Sequence, residues 1–349
     1  MKNIEKPKIY CTLGNATDSD EVIRGMLKSG MAGARINTAY CTIDDYISRI
    51  NQVKSEAAKL GKEIPVMMDI KGPQLRLHTA DSVNYSIEKG IVIPLGFSDK
   101  KDSSIDIYLN YDLKGDLKEG DTLLIENGTI ITRVIENNSQ LLLEILNPGE
   151  GVIKDQMGVN IPGRYLNLPH LSAKDRKVID FSLENKLDYI ALSFVRDEKD
   201  MKYLREYVNE RKKKLKADYN VGLIAKIEDK FGYAALPKII EEGKKHDGDF
   251  VVMVARGDLY NEINYTKLAK AQDEIAALCK KENIPVMIAT GVLESMKYNP
   301  RPTRAEIGDV WNALKTNPDY LMFSPETSNG KYPVLAVNTL SRIIDEYRV

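Results

Sequence analysis

The sequence predicts an α/β fold, a (β/α)8 barrel of the TIM type with a small β-rich domain inserted after the third barrel strand. Eight short, β-branched apolar runs recur along the chain, amphipathic helical stretches separate them, and one intervening region lacks helical periodicity altogether. Strand and helix in alternation argue for a parallel sheet. Barrel strands are covered on both faces, so each should read as a nearly continuous apolar run. Lys8–Gly14, Gly33–Asn37 and Ile64–Ile70 supply the first three. Residues 73–167 follow, with the alternating segments Thr122–Ile125, Thr129–Val134 and Leu141–Leu146. Turn signals at Glu126-Asn127-Gly128 and Asn137-Asn138-Ser139 separate them, as hairpins require. This region is expected to be a lid domain, with residues 1–72 and 168–349 forming the barrel. Tyr189–Val195, Val221–Ile227, Phe250–Ala255, Pro285–Thr290 and Tyr320–Pro325 complete the eight strands. An open doubly wound sheet is the rival arrangement of the same elements.

Composition excludes several classes of function. With 349 residues, 43% hydrophobic and 29% charged, and a formal charge of −1, the chain has length for a large core and no overall attraction to nucleic acid or membranes. The basic run Arg211–Lys216 lies in a polar helical stretch and reads as a solvated helix face. No apolar run approaches the ~20 residues that span a bilayer, and no secretory leader is evident, so a cytoplasmic location is expected. Cys11, Cys41 and Cys279 are spaced too widely for a zinc site or a disulfide framework.

Active sites of such barrels sit at the carboxyl ends of the strands. The polar residues there are Arg35 and Asn37, Asp69 and Lys71, Ser193 and Arg196, Lys226 and Glu228, Arg256 and Asp258, Thr290, then Ser324 and Glu326. Any one of them taken singly would be read as a cap or a turn contact. Gathered at one rim, a lysine and two carboxylates, Lys226, Glu228 and Asp258, suit metal-dependent chemistry on a phosphorylated or enolisable acid.

Several motifs resemble the pyruvate kinase family. They are Cys11-Thr12-Leu13-Gly14, Ala34-Arg35-Ile36-Asn37, Asp69-Ile70-Lys71-Gly72-Pro73, Gly158-Val159-Asn160-Ile161-Pro162-Gly163, Ser193-Phe194-Val195-Arg196, Ala225-Lys226-Ile227-Glu228 and Met253-Val254-Ala255-Arg256-Gly257-Asp258-Leu259. Leu293-Glu294-Ser295-Met296 and Arg301-Pro302-Thr303-Arg304-Ala305-Glu306 follow, and the whole set is collinear with the family. The resemblance covers the catalytic barrel and the lid; the regulatory domain that usually follows is expected to be missing, because the sequence ends at Val349.

The resemblance implies phosphoryl transfer from phosphoenolpyruvate to ADP, giving pyruvate and ATP. Lys226 corresponds to the lysine that lies against the transferring phosphoryl group, whose dispersed negative charge needs fixed cations. Glu228 and Asp258 correspond to the carboxylates that hold Mg²⁺ or Mn²⁺. The backbone amides of Gly257 and Asp258 match the cradle for the substrate carboxylate. Thr290 and Ser324 match hydroxyl residues on the enol side, Thr290 near the proton-delivery path. Arg35 and Arg76 match arginines facing the phosphate, on the catalytic and the nucleotide side alike; for Arg76, bordering the lid, a surface salt bridge is the competing reading. His78, His170 and His246 match no catalytic position.

Departures from the family pattern concentrate on the cation and nucleotide side. Asn37 and Asp69 match monovalent-cation ligands, yet Ala39 replaces a serine ligand and Gln74 a glutamate, which predicts weak or absent K⁺ dependence. Tyr40 stands where a histidine is usual, Met157 where a lysine reaches the nucleotide phosphates, and Asn127 where the lid is acidic. Lys154 is the expected substitute for that lysine. Gly291, Tyr260 and Pro325 are further departures near the site. Two other readings therefore stay open: a metal-dependent aldolase or decarboxylase acting on pyruvate- or oxaloacetate-type oxo acids, and a noncatalytic relative. The segment Val292–Asn312 resembles the one that joins barrels in family tetramers, so a homodimer through the barrel is expected.

Overall fold

The computed structural model describes residues 6–39, 42–100, 102–137 and 140–347. Eight parallel strands close into a barrel: β1 (Lys8–Leu13), β2 (Met31–Asn37), β3 (Val66–Ile70), β4 (Tyr189–Leu192), β5 (Gly222–Ile227), β6 (Phe250–Ala255), β7 (Val286–Ala289) and β8 (Tyr320–Phe323). Each strand pairs with its neighbours in chain order, and Lys8 of β1 lies opposite Tyr320 of β8, which completes the ring. The open doubly wound alternative is thereby excluded. The main core fills the space between this barrel and the surrounding helices.

Three strands end earlier than the apolar pattern suggests. β4 stops at Leu192 and is followed by Phe194 at φ 53°, while β7 stops at Ala289 before Thr290 at φ 74°. Neither conformation continues a ladder. After β8, Pro325 opens the short helix Pro325–Ser328, a place where its missing N–H costs nothing. These early exits turn Ser193, Thr290 and Ser324 out of the sheet and into the rim.

Inside the barrel, Tyr10, Met67, Met253, Met287 and Met322 pack with small alanines, and the flexible methionines fill irregular space between strands. Tyr10 and Tyr320 meet edge to face at 5.4 Å. Gly33 and Gly222 make room for Tyr10 and Tyr189, since a Cβ at either glycine would lie 2.3 or 2.4 Å from the neighbouring ring.

The insertion forms an eight-stranded sheet and a two-stranded ribbon. Met157–Asn160 lies between Thr122–Ile125 and Arg76–Thr79 at the centre of that sheet. A separate apolar core, with Leu77, Ile107, Leu123, Ile125, Leu143 and Ile145 among its members, supports it. The turn Glu126–Gly128 has all three residues at positive φ, which its asparagine and glycine accommodate. Of the second turn, Asn138 and Ser139 lie outside the described residues, as do Tyr40 and Cys41. Cys11 and Cys279 are buried. Lys213, Lys214 and Lys216 are exposed at the end of helix Glu198–Leu215, as a solvated face requires. No helix among the described residues is long and apolar enough to cross a membrane.

Candidate active site

Between the barrel rim and the insertion lies a polar cleft of about 210 Å³ that brings together Arg35, Asn37, Asp69, Lys71, Arg76, Ser193, Lys226, Glu228 and Asp258. The barrel supplies all of them but Arg76 from the ends of β2, β3, β4, β5 and β6, and the insertion strand Arg76–Thr79 supplies Arg76. Sequential parallel strands deliver their carboxyl ends to one rim, so short polar sequences far apart in the chain meet there.

Lys226 is the hub. Its Nζ donates to Ser193 Oγ at 2.6 Å and to Asp69 Oδ1 at 3.1 Å, and it lies 3.1 Å from Glu228 Oε1. Burial disfavours its charge, but Asp69 and Glu228 outweigh that and hold its pKa above the usual lysine value. Asp69 also accepts from Arg35 Nε at 2.7 Å, and Arg35 Nη1 reaches Thr12 Oγ1 at 2.9 Å. Burial opposes the Asp69 carboxylate, yet Lys226 and Arg35 together hold it below the usual range.

Glu228 behaves differently. Burial pushes its pKa up to about 7 against the pull of Lys226, with the negative charges of Asp258 and Asp69 adding to the rise. Burial likewise raises Asp258. Two buried carboxylates held close together with raised pKa values are groups whose charged forms an added cation would favour. Among the described residues no cluster of three or more histidine, cysteine or acidic ligands exists. A cation at Glu228 and Asp258 would therefore draw its remaining ligands from water and substrate, as Mg²⁺ and Mn²⁺ readily do.

Asn160, in the insertion strand Met157–Asn160, reaches down to this pair. Its Nδ2 donates to Asp258 Oδ1 at 3.3 Å and to Glu262 Oε1 at 3.0 Å. Burial, with Asp229 and Asp258 nearby, lifts Glu262 to about 8. Asn160 and Glu262 received no role from the sequence, although an amide in the middle of the otherwise apolar Val159–Ile161 stretch is a visible signal. Ser193 and Lys71 were visible as rim residues and within motifs, but without a role of their own, and Thr12 only within a motif.

Gly257 and Asp258 lie in the first turn of helix Arg256–Glu262. A Cβ on Gly257 would come within 3.1 Å of Thr290 Cγ2, so these two positions adjoin. Gly257, Thr290 and Ser324 are absent from the lining of the cleft itself. Ser324 follows β8, its backbone N–H donating to Glu326 Oε2 at 2.8 Å. Arg256 faces elsewhere: it pairs with Asp309 at 2.8 Å and donates to the Thr290 and Gly291 carbonyls, bracing the end of β7.

Two expectations require correction. Arg76 is 7% exposed and donates to the Gln74 side chain and the Gln156 carbonyl, both at 2.8 Å, so it is not the surface residue of the competing reading. The sheet of the insertion folds back over the rim and covers it. Lys154 does not join the cleft. It lies in a neighbouring cavity of the insertion, 4.0 Å from Glu150 and largely exposed. Arg76 lines both cavities.

At the monovalent position, Asn37 Oδ1 accepts from the Ala39 N–H at 3.1 Å. Both Asp69 oxygens accept from Arg35, Lys226 or Ser193, and Gln74 Oε1 accepts from Arg76. Lys71 also lines the cleft. Burial and the positive charges of Arg76 and Lys174, against the attraction of Asp175, bring its ammonium down to about 8.

Fold and site together define a (β/α)8-barrel protein with an inserted β domain, whose mouth holds a buried lysine beside paired carboxylates. Residues 4–337 match the family described as pyruvate kinase, barrel domain, and the chain belongs to the pyruvate kinase family. It is 36% identical over 344 residues to a pyruvate kinase of Bacillus licheniformis, covering 97% of this chain and 57% of that protein. A pyruvate kinase of Leishmania mexicana is 36% identical over 350 residues, 98% of this chain and 67% of that protein. A crystal structure of a pyruvate kinase from Cryptosporidium parvum superposes with a TM-score of 0.87 at 31% identity, covering 98% of this chain and 69% of that one. The chain thus spans little more than half the length of the bacterial relative.

Proposed function

We propose that this protein transfers the phosphoryl group of phosphoenolpyruvate to ADP, giving ATP and pyruvate, with a divalent cation, Mg²⁺ or Mn²⁺, held by Glu228 and Asp258. The observation that carries the reading is the buried Lys226 ammonium, fixed by Asp69, Glu228 and Ser193 within a cleft that also presents Arg35. A phosphoryl group in flight spreads charge over its oxygens, and catalysis consists largely of fixed, pre-oriented positive charge. Lys226 is oriented by three partners before substrate arrives, so little reorganisation accompanies the reaction. Arg35, tethered by Asp69 and Thr12, places a second cation beside it. Asn160, anchored by Glu262, holds the Asp258 carboxylate in place. The cation, when bound, supplies positive charge to the enolate oxygen.

The Gly257 and Asp258 amides receive the substrate carboxylate. Thr290, adjoining Gly257, relays the proton to the enol carbon, with Ser324 on the same side. Residues 73–167 act as a lid over a barrel of residues 1–72 and 168–349. Three contacts support that division: Asn160 with Asp258 and Glu262, Tyr165 with Asp197, and Gly128 beside Asn261. The barrels form a homodimer through the region of helix Arg304–Lys315, where Ile307 and Trp311 are exposed, and the enzyme works in the cytoplasm.

The test is pyruvate formation from phosphoenolpyruvate with and without ADP, in Mg²⁺ or Mn²⁺ and after chelation. ADP- and metal-dependent product that is lost in Lys226→Met is expected. Product independent of ADP, or none from folded, metal-binding protein, would overturn the reading.

A further inference from the structure

We propose that Lys71, and not Lys154, binds the phosphate oxygens of the nucleotide; this deepens the kinase reading and rests on it. The cations that line the cleft are Arg35, Lys71, Arg76 and Lys226. Three of them are already engaged: Arg35 by Asp69 and Thr12, Lys226 by Asp69, Glu228 and Ser193, and Arg76 by Gln74 and the Gln156 carbonyl. Lys71 differs. Among the described residues its ammonium makes no ion pair within 4.0 Å and no side-chain hydrogen bond.

The acid that attracts it, Asp175, is occupied. Its carboxylate accepts from the Gly72 N–H at 3.3 Å and from the Ser172 N–H at 2.8 Å, capping helix Ala173–Glu184. The neighbours that act on Lys71 most strongly after burial are positive, Arg76 and Lys174. A half-buried ammonium that feels two other cations and lines a polar cleft is a site for a ligand carrying more than one negative charge. The charges that act on it most are Arg76, Lys174 and Asp175, not the Asp69 and Glu228 cluster around Lys226. The phosphoryl group of phosphoenolpyruvate is met by Lys226 and Arg35, so the diphosphate of the nucleotide is the polyanion left for Lys71.

The backbone holds Lys71 there. Gly72 turns at φ +59°, and a Cβ on it would lie 2.4 Å from the Ser193 carbonyl, so the chain between β3 and the insertion packs directly on the end of β4. Lys154, by contrast, is exposed beside Glu150 in a separate cavity. With Met157 in place of the family's lysine, the cation left to meet the nucleotide phosphates is a lysine of the barrel rim, distant in sequence.

The experiment compares wild type, Lys71→Met, Lys71→Arg and Lys154→Met, reading KM for ADP and for phosphoenolpyruvate, kcat, and MgADP affinity by calorimetry. Lys71→Met should weaken ADP by roughly tenfold or more in both KM and Kd, as expected for loss of a charge-assisted contact. KM for phosphoenolpyruvate should stay within about twofold, Lys71→Arg should restore part of the loss, and Lys154→Met should leave ADP affinity unchanged. Unaltered ADP affinity in folded Lys71→Met, an equal loss for both substrates, or a loss confined to Lys154→Met would overturn the proposal. Wild-type protein that binds MgADP yet makes no pyruvate would defeat the kinase reading alone, because the calorimetric comparison still judges Lys71. Folded wild type that binds no MgADP would defeat Lys71 as well.

Discussion

Lys226→Met tests the electrostatics of the site most directly. Truncating one member of a buried ion pair commonly costs ~3–5 kcal/mol, because the orphaned charge stays buried. Here the two partners are left in different states. Asp69 keeps Arg35 at 2.7 Å and remains compensated. Glu228 keeps only the Phe194 N–H at 2.6 Å among the described residues, but burial already places its pKa at about 7 and removal of the lysine raises it further. At pH 7 the carboxyl therefore takes up a proton and evades most of the penalty. A group whose folded pKa is raised contributes stability that is present at low pH and lost as pH rises to the folded pKa. In the wild type that loss ends near pH 7; in the variant it continues above. The destabilisation should be about 1 kcal/mol near pH 6 and should grow by about 1.4 kcal/mol per pH unit above neutrality. Urea unfolding at pH 6 and pH 9 with a chelator present measures it, and an equal loss at both pH values would refute the assignment of Glu228. In turnover, the same variant should lose about 10²–10³-fold or more in kcat. A kcat within about tenfold of wild type, in folded protein, would remove Lys226 from the transferring group.

Asn160→Ala should weaken Mn²⁺ binding by roughly tenfold, because the amide that orients Asp258 is lost, and free Mn²⁺ counted by electron paramagnetic resonance reports it. Gly72→Ala should destabilise the fold by about 2 kcal/mol or more in urea unfolding, since it combines an unfavourable φ with a clash against backbone. Replacing K⁺ by tetramethylammonium should change kcat by less than about twofold, because the oxygens of Asn37, Asp69 and Gln74 already accept from fixed protein donors; a steep K⁺ activation would show that these bonds open. Glu262→Gln should leave the fold intact at pH 7, because the carboxyl there, with its pKa near 8, is already mostly protonated. Its stability relative to wild type should rise from about pH 5 to about pH 8 in thermal unfolding and level off above, because the fold holds the wild-type acid protonated while the unfolded chain ionises.

The eight barrel strands were legible because burial on both faces demands runs such as Phe250–Ala255, a requirement that one strand meets alone. Lys226, Glu228 and Asp258 were legible as a set for a related reason: in a sequentially wound barrel, position after a strand's last residue already specifies the rim. The hairpin turn at Glu126–Gly128 was equally local, written in residues that accept positive φ. Other features had no local signature. That Arg76 turns inward and Lys154 outward depends on the register in which Met157–Asn160 enters a sheet assembled from strands far apart in the chain. The same register brings Asn160 onto Asp258 and Glu262, a contact spanning about a hundred residues. Which cation lacks a partner is likewise a property of the folded cleft: Lys71 differs from Arg35 and Lys226 only in what the tertiary structure places beside it. Strand order and rim chemistry follow from patterns a segment carries by itself, whereas pairing between a lid and a barrel follows from three-dimensional packing that no single segment encodes.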